Sequence, residues 1–185
     1  MRKVLGFSFL LASVISLTSF MLPLEQRSTP TPPHKEKIVW LSMSELKTAY
    51  AMQRRPILID VYTSWCGWCK VMDKETYENE KVISYINKNF YAVKFNAEST
   101  DSVMLGSKKY GYNAANNAND LAVYLLGGRM GYPTTVLLSS LNAQPAPLAG
   151  FLKPSELEPP LKYFGEGSYK KQDFPEFMKG FAGTW

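Results

Sequence analysis

The two cysteines of this 185-residue chain, Cys66 and Cys69, lie three residues apart in the run WCGWCK at residues 65–70. This run directly follows ILIDVYT at residues 57–63, a β-branched and aromatic stretch that predicts a strand. A helix that begins at the cysteines would place Cys66 in its first turn, where the helix dipole and unpaired N–H groups stabilise a thiolate. Cys69, one turn further on the same face, could then attack a mixed disulfide formed at Cys66. The pattern predicts that Cys66 attacks and Cys69 resolves.

The cysteine pair has three alternative uses. A zinc site would need two further ligands, but no other cysteine exists and the one histidine, His34, lies in a Pro-rich stretch, so no metal is expected. A structural disulfide between these cysteines would close a very short loop and would constrain the unfolded chain little. Two buried, inert thiols stay an open alternative, although Gly67 with the flanking Trp65 and Trp68 favours an exposed, reactive turn.

The N-terminal region differs in composition from the rest of the chain. Arg2 and Lys3 precede an almost uncharged stretch that ends at Leu24, which is the pattern of an export signal. A retained membrane anchor is the alternative, because an apolar stretch of about 20 residues can also span a bilayer. We therefore expect a signal peptide or N-terminal anchor at residues 1–24 and an exported domain, either periplasmic or membrane-anchored facing the periplasm. An oxidising compartment of this kind allows neighbouring cysteines to cycle between dithiol and disulfide.

Residues 25–37 are rich in proline, hydroxyl and charged side chains, which predicts a spacer. Strand patterns then alternate with helix patterns up to about residue 165, which predicts an α/β domain over residues 38–165. Strands are predicted at residues 38–41, 57–63, 90–95, 136–138 and 148–152. Helices are predicted to begin near residues 42, 66, 79, 120 and 155. The longer connection at residues 99–118 is expected to contain a hairpin near Gly106, and residues 166–185 are expected to form a helical extension packed on the domain.

The charge distribution argues against a nucleic-acid binder. The net charge is +5, but residues 1–37 contain five of the 21 Lys and Arg and two of the 16 Asp and Glu, which leaves +2 for the rest. A nucleic-acid-binding domain would concentrate basic and aromatic residues on its folded part, and no such stretch follows residue 38. We therefore expect no nucleic-acid partner.

Four segments in the order ILIDVYTS, WCGWCK, FYAVKFNAE and GYPTTVLL resemble the thioredoxin superfamily. The resemblance covers roughly residues 38–165, and it is nearest to the exported thioredoxin-like proteins of Bacteroidetes-type bacteria. It implies a thioredoxin-like α/β fold with a central mixed β-sheet flanked by helices on both faces. It also implies chemistry that needs no bound cofactor.

The resemblance assigns roles to two charged residues. Asp60, inside an otherwise apolar strand, falls where the family has a buried acid beneath the second cysteine. Burial raises the pKa of such a carboxyl group, so that it can take or relay the proton of Cys69. Lys94 falls where the family has a lysine that tunes the charge of this acid. The alternatives are an aspartate satisfied by local hydrogen bonds and a solvated strand lysine.

The resemblance also indicates a surface that binds substrate. Pro133 matches a cis proline that faces the dithiol, and a cis bond after Tyr132 would leave the Tyr132 backbone free to pair with an extended client segment. An ordinary trans proline at an edge strand is the alternative. Trp65 and Trp68 are expected to form an apolar rim around Cys66, with Gly67 in the same substrate-binding surface, whereas the alternative packs Trp68 as core cover.

These features predict an exported thiol–disulfide oxidoreductase that reduces or exchanges disulfides in client proteins, with electrons from an unknown redox donor. A net disulfide oxidase or isomerase is a second enzymatic possibility. A noncatalytic thioredoxin-fold module that binds peptides is the alternative of a different class. Trp68 stands where the family most often has proline, and the residues between the cysteines help to set thiolate stability, so the direction of exchange stays open.

Overall fold

The computed structural model describes residues 36–185, which are built around a five-stranded mixed sheet. The strands in chain order are β1 (Trp40–Leu41), β2 (Ile57–Tyr62), β3 (Tyr91–Asn96), β4 (Val103–Leu105), β5 (Lys108–Tyr110), β6 (Tyr112–Asn113), β7 (Ala118–Asn119), β8 (Thr134–Leu138) and β9 (Ala146–Ala149). The central sheet has the order β1-β3-β2-β8-β9. β1, β3 and β2 are parallel, β8 is antiparallel to β2, and β9 is antiparallel to β8. The predicted mixed sheet is confirmed.

The helices begin close to the predicted positions. They are α1 (Met43–Met52), α2 (Gly67–Glu75), α3 (Glu80–Asn89), α4 (Asp120–Leu125), α5 (Pro154–Gly165) and α6 (Phe174–Lys179), with a 3-10 helix at Ser168–Lys170. Ser42 and Glu45 form a capping box at the start of α1, and the side chains of Asn79 and Asn119 cap α3 and α4. These side chains accept hydrogen bonds from N–H groups that have no partner inside the helix.

Helices cover both faces of the central sheet. On one face, the buried side chains of β2 meet those of α1, α4 and the β4–β5 hairpin, and they include Leu46, Ile59, Leu105, Leu121 and Leu125. On the other face they meet α2, α3 and α5, and they include Leu58, Met72, Ile83, Ile86 and Leu157. Side chains alternate along a strand, so Asp60 shares the second face with Leu58, and Lys94 shares it with Ala92. Both charged residues therefore lie on the face that α2 covers.

Several predicted boundaries differ in the structure, among them those of β1, β9 and α5. β1 begins at Trp40 instead of residue 38, because the backbone N–H of Val39 donates to the side chain of Asn87 and takes no part in a strand ladder. β9 ends at Ala149, because Gly150 follows with a left-handed φ of 92°. α5 begins at Pro154 instead of residue 155, with Lys153 as its N-cap.

The long connection at residues 99–118 contains the predicted hairpin, formed by β4 and β5. Gly106 makes its turn with φ +60°, a left-handed conformation that favours glycine, and a Cβ there would also require the Asn142 side chain to move, because it would lie 2.2 Å from Oδ1 of Asn142. β6 and β7 form a second small antiparallel pair. The buried Asn119 amide donates to the carbonyl oxygens of Ser99 and Asp101, which fastens both ends of the connection together.

The C-terminal residues contact α5. The rings of Phe174 and Phe177 each lie 5.3 Å from that of Tyr163, although no α6 residue is buried. The buried Glu158 carboxylate accepts hydrogen bonds from the backbone N–H groups of Thr184 and Trp185. The division at residues 165 and 166 stays a prediction.

The predicted signal peptide or anchor at residues 1–24, the spacer up to residue 35 and His34 lie outside the described residues. Across residues 36–185, no helix is both long and apolar enough to cross a bilayer. In the same range, no group of three or more His, Cys, Asp and Glu side chains is arranged to hold a metal ion.

Candidate active site

The two cysteines form a disulfide at the N-terminus of α2. Cys66 is the N-cap residue, and its Sγ accepts a hydrogen bond from the Cys69 backbone N–H at 3.0 Å. The first turn of α2 contains no acidic residue, so no neighbouring carboxylate of that turn opposes a thiolate at Cys66. The position at the start of the helix is the one the sequence predicts.

The expectation of an exposed turn is correct for the tryptophans and wrong for the cysteines. Trp65 and Trp68 are 67% and 63% exposed, whereas Cys66 and Cys69 are only 5% and 4% exposed. The Cys69 side chain is buried because it lies on the face of α2 that packs on the sheet, together with Met72. Trp68 is therefore part of a rim and does not cover the core.

Each exposed tryptophan has an aromatic partner. The Trp65 ring lies 5.9 Å from that of Tyr132, and the Trp68 ring lies 5.8 Å from that of Phe151. The Trp65 indole N–H also donates to Oε1 of Glu98 at 2.9 Å. Sequence reasoning missed Phe151 and Glu98, because neither lies near the cysteines in the chain.

The other residues predicted to bind substrate lie at the same end of the sheet. The Tyr132–Pro133 peptide bond is cis, and the Pro133 carbonyl accepts a hydrogen bond from the Gly150 N–H at 2.8 Å. Among the described residues, Tyr132 makes no backbone–backbone hydrogen bond. A Cβ added to Gly67 would meet nothing within 4 Å, so this position opens to solvent.

Two carboxylates share one ammonium group beneath α2. Lys94 Nζ lies 2.5 and 2.7 Å from the two carboxylate oxygens of Asp73, and 3.4 Å from Oδ2 of Asp60. Asp60 is 2% exposed and Lys94 is 26% exposed, so the lysine is not a solvated strand residue. Asp73 lies one turn beyond Cys69 on α2, and sequence reasoning missed it. The lysine therefore links the helix that contains Cys69 to the buried acid on β2.

Burial raises the pKa of Asp60 from 3.8 to about 6, because the carboxylate loses its hydration; the Lys94 charge opposes this change and the Asp73 charge adds to it. Within the described residues, Oδ1 of Asp60 accepts no hydrogen bond. Burial lowers the pKa of Lys94, but the Asp73 hydrogen bond and both carboxylate charges outweigh that effect and raise it above 10.5. Asp60 therefore titrates near pH 6, whereas Lys94 stays charged at neutral pH.

A second polar pair borders the buried acid. Thr135 is the register partner of Asp60 on β8, and its Oγ1 lies 2.9 Å from the Tyr77 hydroxyl oxygen in a buried hydrogen bond. Burial and the Asp60 charge raise the pKa of Tyr77 well above 10.0, so its hydroxyl stays neutral. Tyr77 lies just beyond α2, after the C-cap residue Thr76, and its only signal in the sequence is an aromatic residue near a helix end.

A mixed sheet with helices on both faces, a Cys-x-x-Cys pair at a helix N-terminus and a buried acid beneath that helix together define a thioredoxin-like protein. The chain belongs to the family described as Thioredox_DsbH, a protein of unknown function, DUF255, whose model matches residues 28–159. The predicted thioredoxin superfamily is thereby confirmed.

Similarities to solved structures agree with this fold. A structure titled DsbH oxidoreductase covers 76% of this chain and 94% of its own, with 15% identity and a TM-score of 0.50. A thioredoxin from Thermus thermophilus covers 71% of this chain and 93% of its own, with 14% identity and a TM-score of 0.52.

Curated relatives match over shorter parts of their length. The thiol:disulfide interchange protein DsbD of Campylobacter jejuni is 22% identical over 105 residues, which are 56% of this chain and 18% of that protein. An uncharacterized protein of Caenorhabditis elegans, B0495.5, is 43% identical over 49 residues, which are 26% of this chain and 7% of that protein. The chain thus spans less than a fifth of either relative.

Proposed function

We propose that this protein is an exported thiol–disulfide oxidoreductase that reduces or exchanges disulfides in client proteins. The observation that carries the proposal is the Cys66–Cys69 disulfide at the start of α2, with Asp60, Lys94 and Asp73 linked behind it. The names of similar proteins, a thiol:disulfide interchange protein and an oxidoreductase, support the same chemistry. Export is supported by the sequence pattern of residues 1–24.

The exchange takes place in two displacements. In the first, the Cys66 thiolate attacks a client disulfide, the client S–S bond breaks, and one client sulfur leaves as a thiolate. In the second, Cys69 gives its proton to Asp60 and attacks Cys66 Sγ, which releases the second client thiolate and forms the Cys66–Cys69 bond. The client gains two electrons, and the protein dithiol becomes a disulfide. A redox donor that carries thiols must then reduce this disulfide.

The pKa of Asp60 suits this proton transfer. A general base works best when its pKa lies near the working pH, and burial places that of Asp60 at about 6. Lys94 lies against both carboxylates, so it limits how far the pKa of Asp60 rises. No step needs a bound cofactor or metal.

The client surface is the aromatic rim. Trp65 with Tyr132 and Trp68 with Phe151 flank the disulfide, and large rings of this kind contribute contact area in binding sites. We assign recognition of an extended client segment to these rings and to the Tyr132 backbone at the cis bond. Gly67 contributes a position of the same surface that is open to solvent.

Trapping of mixed disulfides tests the proposal. A Cys69→Ala variant lacks the resolving thiol, so it should accumulate clients bound to Cys66, detected as adducts that a reductant releases. A matched Cys66→Ala variant should accumulate far fewer. If neither variant yields adducts, the noncatalytic binding module is the better interpretation.

The reduction potential decides the direction of net exchange. A potential near the thioredoxin value of about −270 mV would support a reductase, whereas one near about −120 mV would identify a strong oxidant. Equilibration of the Cys66–Cys69 pair with redox buffers, followed by thiol labelling, measures it.

A further inference from the structure

Asn87 on α3 fastens residues 36–39, here called the leading segment, to the domain. Its side-chain Nδ2 donates to Oε1 of Glu36 at 3.0 Å and to the Lys37 carbonyl at 2.9 Å. Its Oδ1 accepts the backbone N–H of Val39 at 3.0 Å. The oxygen and the nitrogen of the Asn87 side-chain amide therefore both hold the leading segment, which lies outside the strand ladder, immediately before β1.

The leading segment forms one wall of a pocket of about 470 Å³ that reaches the Lys94–Asp73 pair. Its lining residues are Glu36, Lys37, Ile38, Trp40, Asp73, Tyr77, Glu78, Ile83 and Lys94. The Lys94 ammonium lies 5.6 Å from the centre of the Trp40 ring. None of the aromatic residues that flank the disulfide is among the lining residues. The pocket therefore opens the Lys94–Asp73 pair to solvent at a surface separate from the aromatic rim.

The separate opening gives Asp60 a route by which it can release to water the proton that it takes from Cys69 in the resolving step. While a client is bound, it covers the aromatic rim, and Asp60 must still return to water the proton that it takes from Cys69. Asp60 does not line the pocket, but its ion-pair partner Lys94 does, and Lys94 also contacts Asp73 there. Water in the pocket would thus approach Asp60 from behind the lysine.

We propose that Asn87 is a positioning residue for the redox reaction, because it holds the leading segment against this pocket and so limits the access of solvent to Lys94, Asp73 and Asp60. This inference rests on the proposed function, since it concerns the proton of the same resolving step.

The expected change in the pKa of Asp60 depends on the charged and titratable groups around it. Asp60 faces Lys94 of β3, Asp73 of α2 and the Tyr77 hydroxyl that follows α2. The pocket adds further charged groups, which are Glu36, Lys37 and Glu78. Release of the leading segment would widen the pocket and admit more water behind Lys94, which weakens both the desolvation of Asp60 and its attraction to Lys94. Desolvation is the larger of the two, so the pKa of Asp60 should fall from about 6 toward 3.8.

The test compares Asn87→Ala with Asn89→Ala in the oxidised full-length protein. Asn89 is a matched control on the same helix, because its side chain donates to the Tyr85 carbonyl of α3 and makes no described bond to the leading segment. Carbon-13 NMR of labelled aspartate carboxyl groups gives the pKa of Asp60, with Asp60→Asn identifying its signal. Hydrogen exchange of the Val39 amide reports whether the segment has been released.

Asn87→Ala should accelerate Val39 exchange, lower the pKa of Asp60 and shift the acid limb of the disulfide-reduction pH profile to lower pH. Asn89→Ala should change none of these. A Glu36→Ala variant, which leaves α3 untouched, should give a smaller shift in the same direction, and it serves if Asn87→Ala fails to fold.

Two results would overturn the inference: unchanged Val39 exchange in Asn87→Ala, or faster exchange with an unchanged or raised pKa of Asp60. Failure of the proposed function has a different signature: the Cys69→Ala variant, with Asn87 unchanged, would trap no clients through Cys66.

Discussion

Replacement of Asp60 by asparagine should make the oxidised protein more stable while it slows disulfide reduction. The folded protein holds the pKa of this buried carboxyl at about 6, compared with 3.8 for an unperturbed group. Each pKa unit corresponds to about 1.4 kcal/mol, so ionised Asp60 costs the fold about 3 kcal/mol at neutral pH. Asparagine has nearly the same shape and carries no charge, but it gives up the attraction to Lys94. We therefore expect a gain of about 1–3 kcal/mol in the free energy of unfolding.

The gain should depend on pH with a definite sign. Between pH 3.8 and about 6, folded Asp60 binds more protons than unfolded Asp60, so the stability of the unmodified protein falls as the pH rises through this window. Below the window the carboxyl is protonated in both states, and the two proteins should be nearly equally stable. Above it the full difference should appear. Urea denaturation of both oxidised proteins across this pH range measures the difference.

The rate of disulfide reduction should fall in Asp60→Asn, although the stability rises. Without a carboxylate to accept the Cys69 proton, Asp60→Asn should lose most activity near neutral pH, and the loss should shrink at high pH, where the thiol ionises unaided. A pH series of client disulfide reduction by both proteins provides the comparison. A variant that unfolds at lower urea concentration, or that keeps its full rate at every pH, would refute this reasoning and make Asp60 an architectural residue.

Asp73→Asn should lower the pKa of Asp60, because the Asp73 charge raises it; a shift of the acid limb of the rate profile to lower pH would show this, and an upward shift would contradict it. Glu158→Gln should cost about 1–3 kcal/mol, because the buried carboxylate accepts hydrogen bonds from Thr184 and its neighbour. Burial raises the pKa of Glu158, but these hydrogen bonds outweigh that effect and lower the pKa below 4.5. The stabilisation by Glu158 should therefore be present above pH 4.5 and be lost as the pH falls below it. Urea denaturation of both proteins at neutral and acidic pH measures this, and a stability difference that is the same at both pH values would contradict it. Gly67→Ala should leave stability unchanged or raise it by up to about 1 kcal/mol, because the added Cβ meets open space in α2; a lower midpoint of thermal unfolding would contradict this.

The fold was largely predictable because its elements carry local signals. Ser42 with Glu45, and Asn79, are capping residues that mark helix starts within a few positions. β9 was predicted too late in the chain, because the left-handed Gly150 that ends it has no distinctive neighbours. The hairpin formed by β4 and β5 was predicted from Gly106, but the contact between this position and Asn142, which is distant in the chain, comes only from the tertiary structure.

The candidate site was only half predictable. Cys66, Cys69 and Asp60 stand out by residue type and spacing, whereas Asp73 looks like any acid on the exposed face of a helix. The register of β2 and β3 brings Lys94 beside Asp60, and the packing of α2 on that face adds Asp73 to the pair. The spacing of Asp60, Asp73 and Lys94 along the chain does not predict that these three side chains meet.

By itself, the sequence determined that a closely spaced cysteine pair follows a strand, that this strand contains an acid, and that tryptophans flank the pair. The tertiary structure alone decided that both cysteines are buried, that Lys94 contacts two carboxylates, and that Asn87 holds the leading segment beside them. Hydrophobic pattern and capping act over a few residues, so they can be read from neighbours in the chain. Desolvation and charge pairing depend on groups a few ångströms apart in space, and folding brings those groups together from distant parts of the sequence.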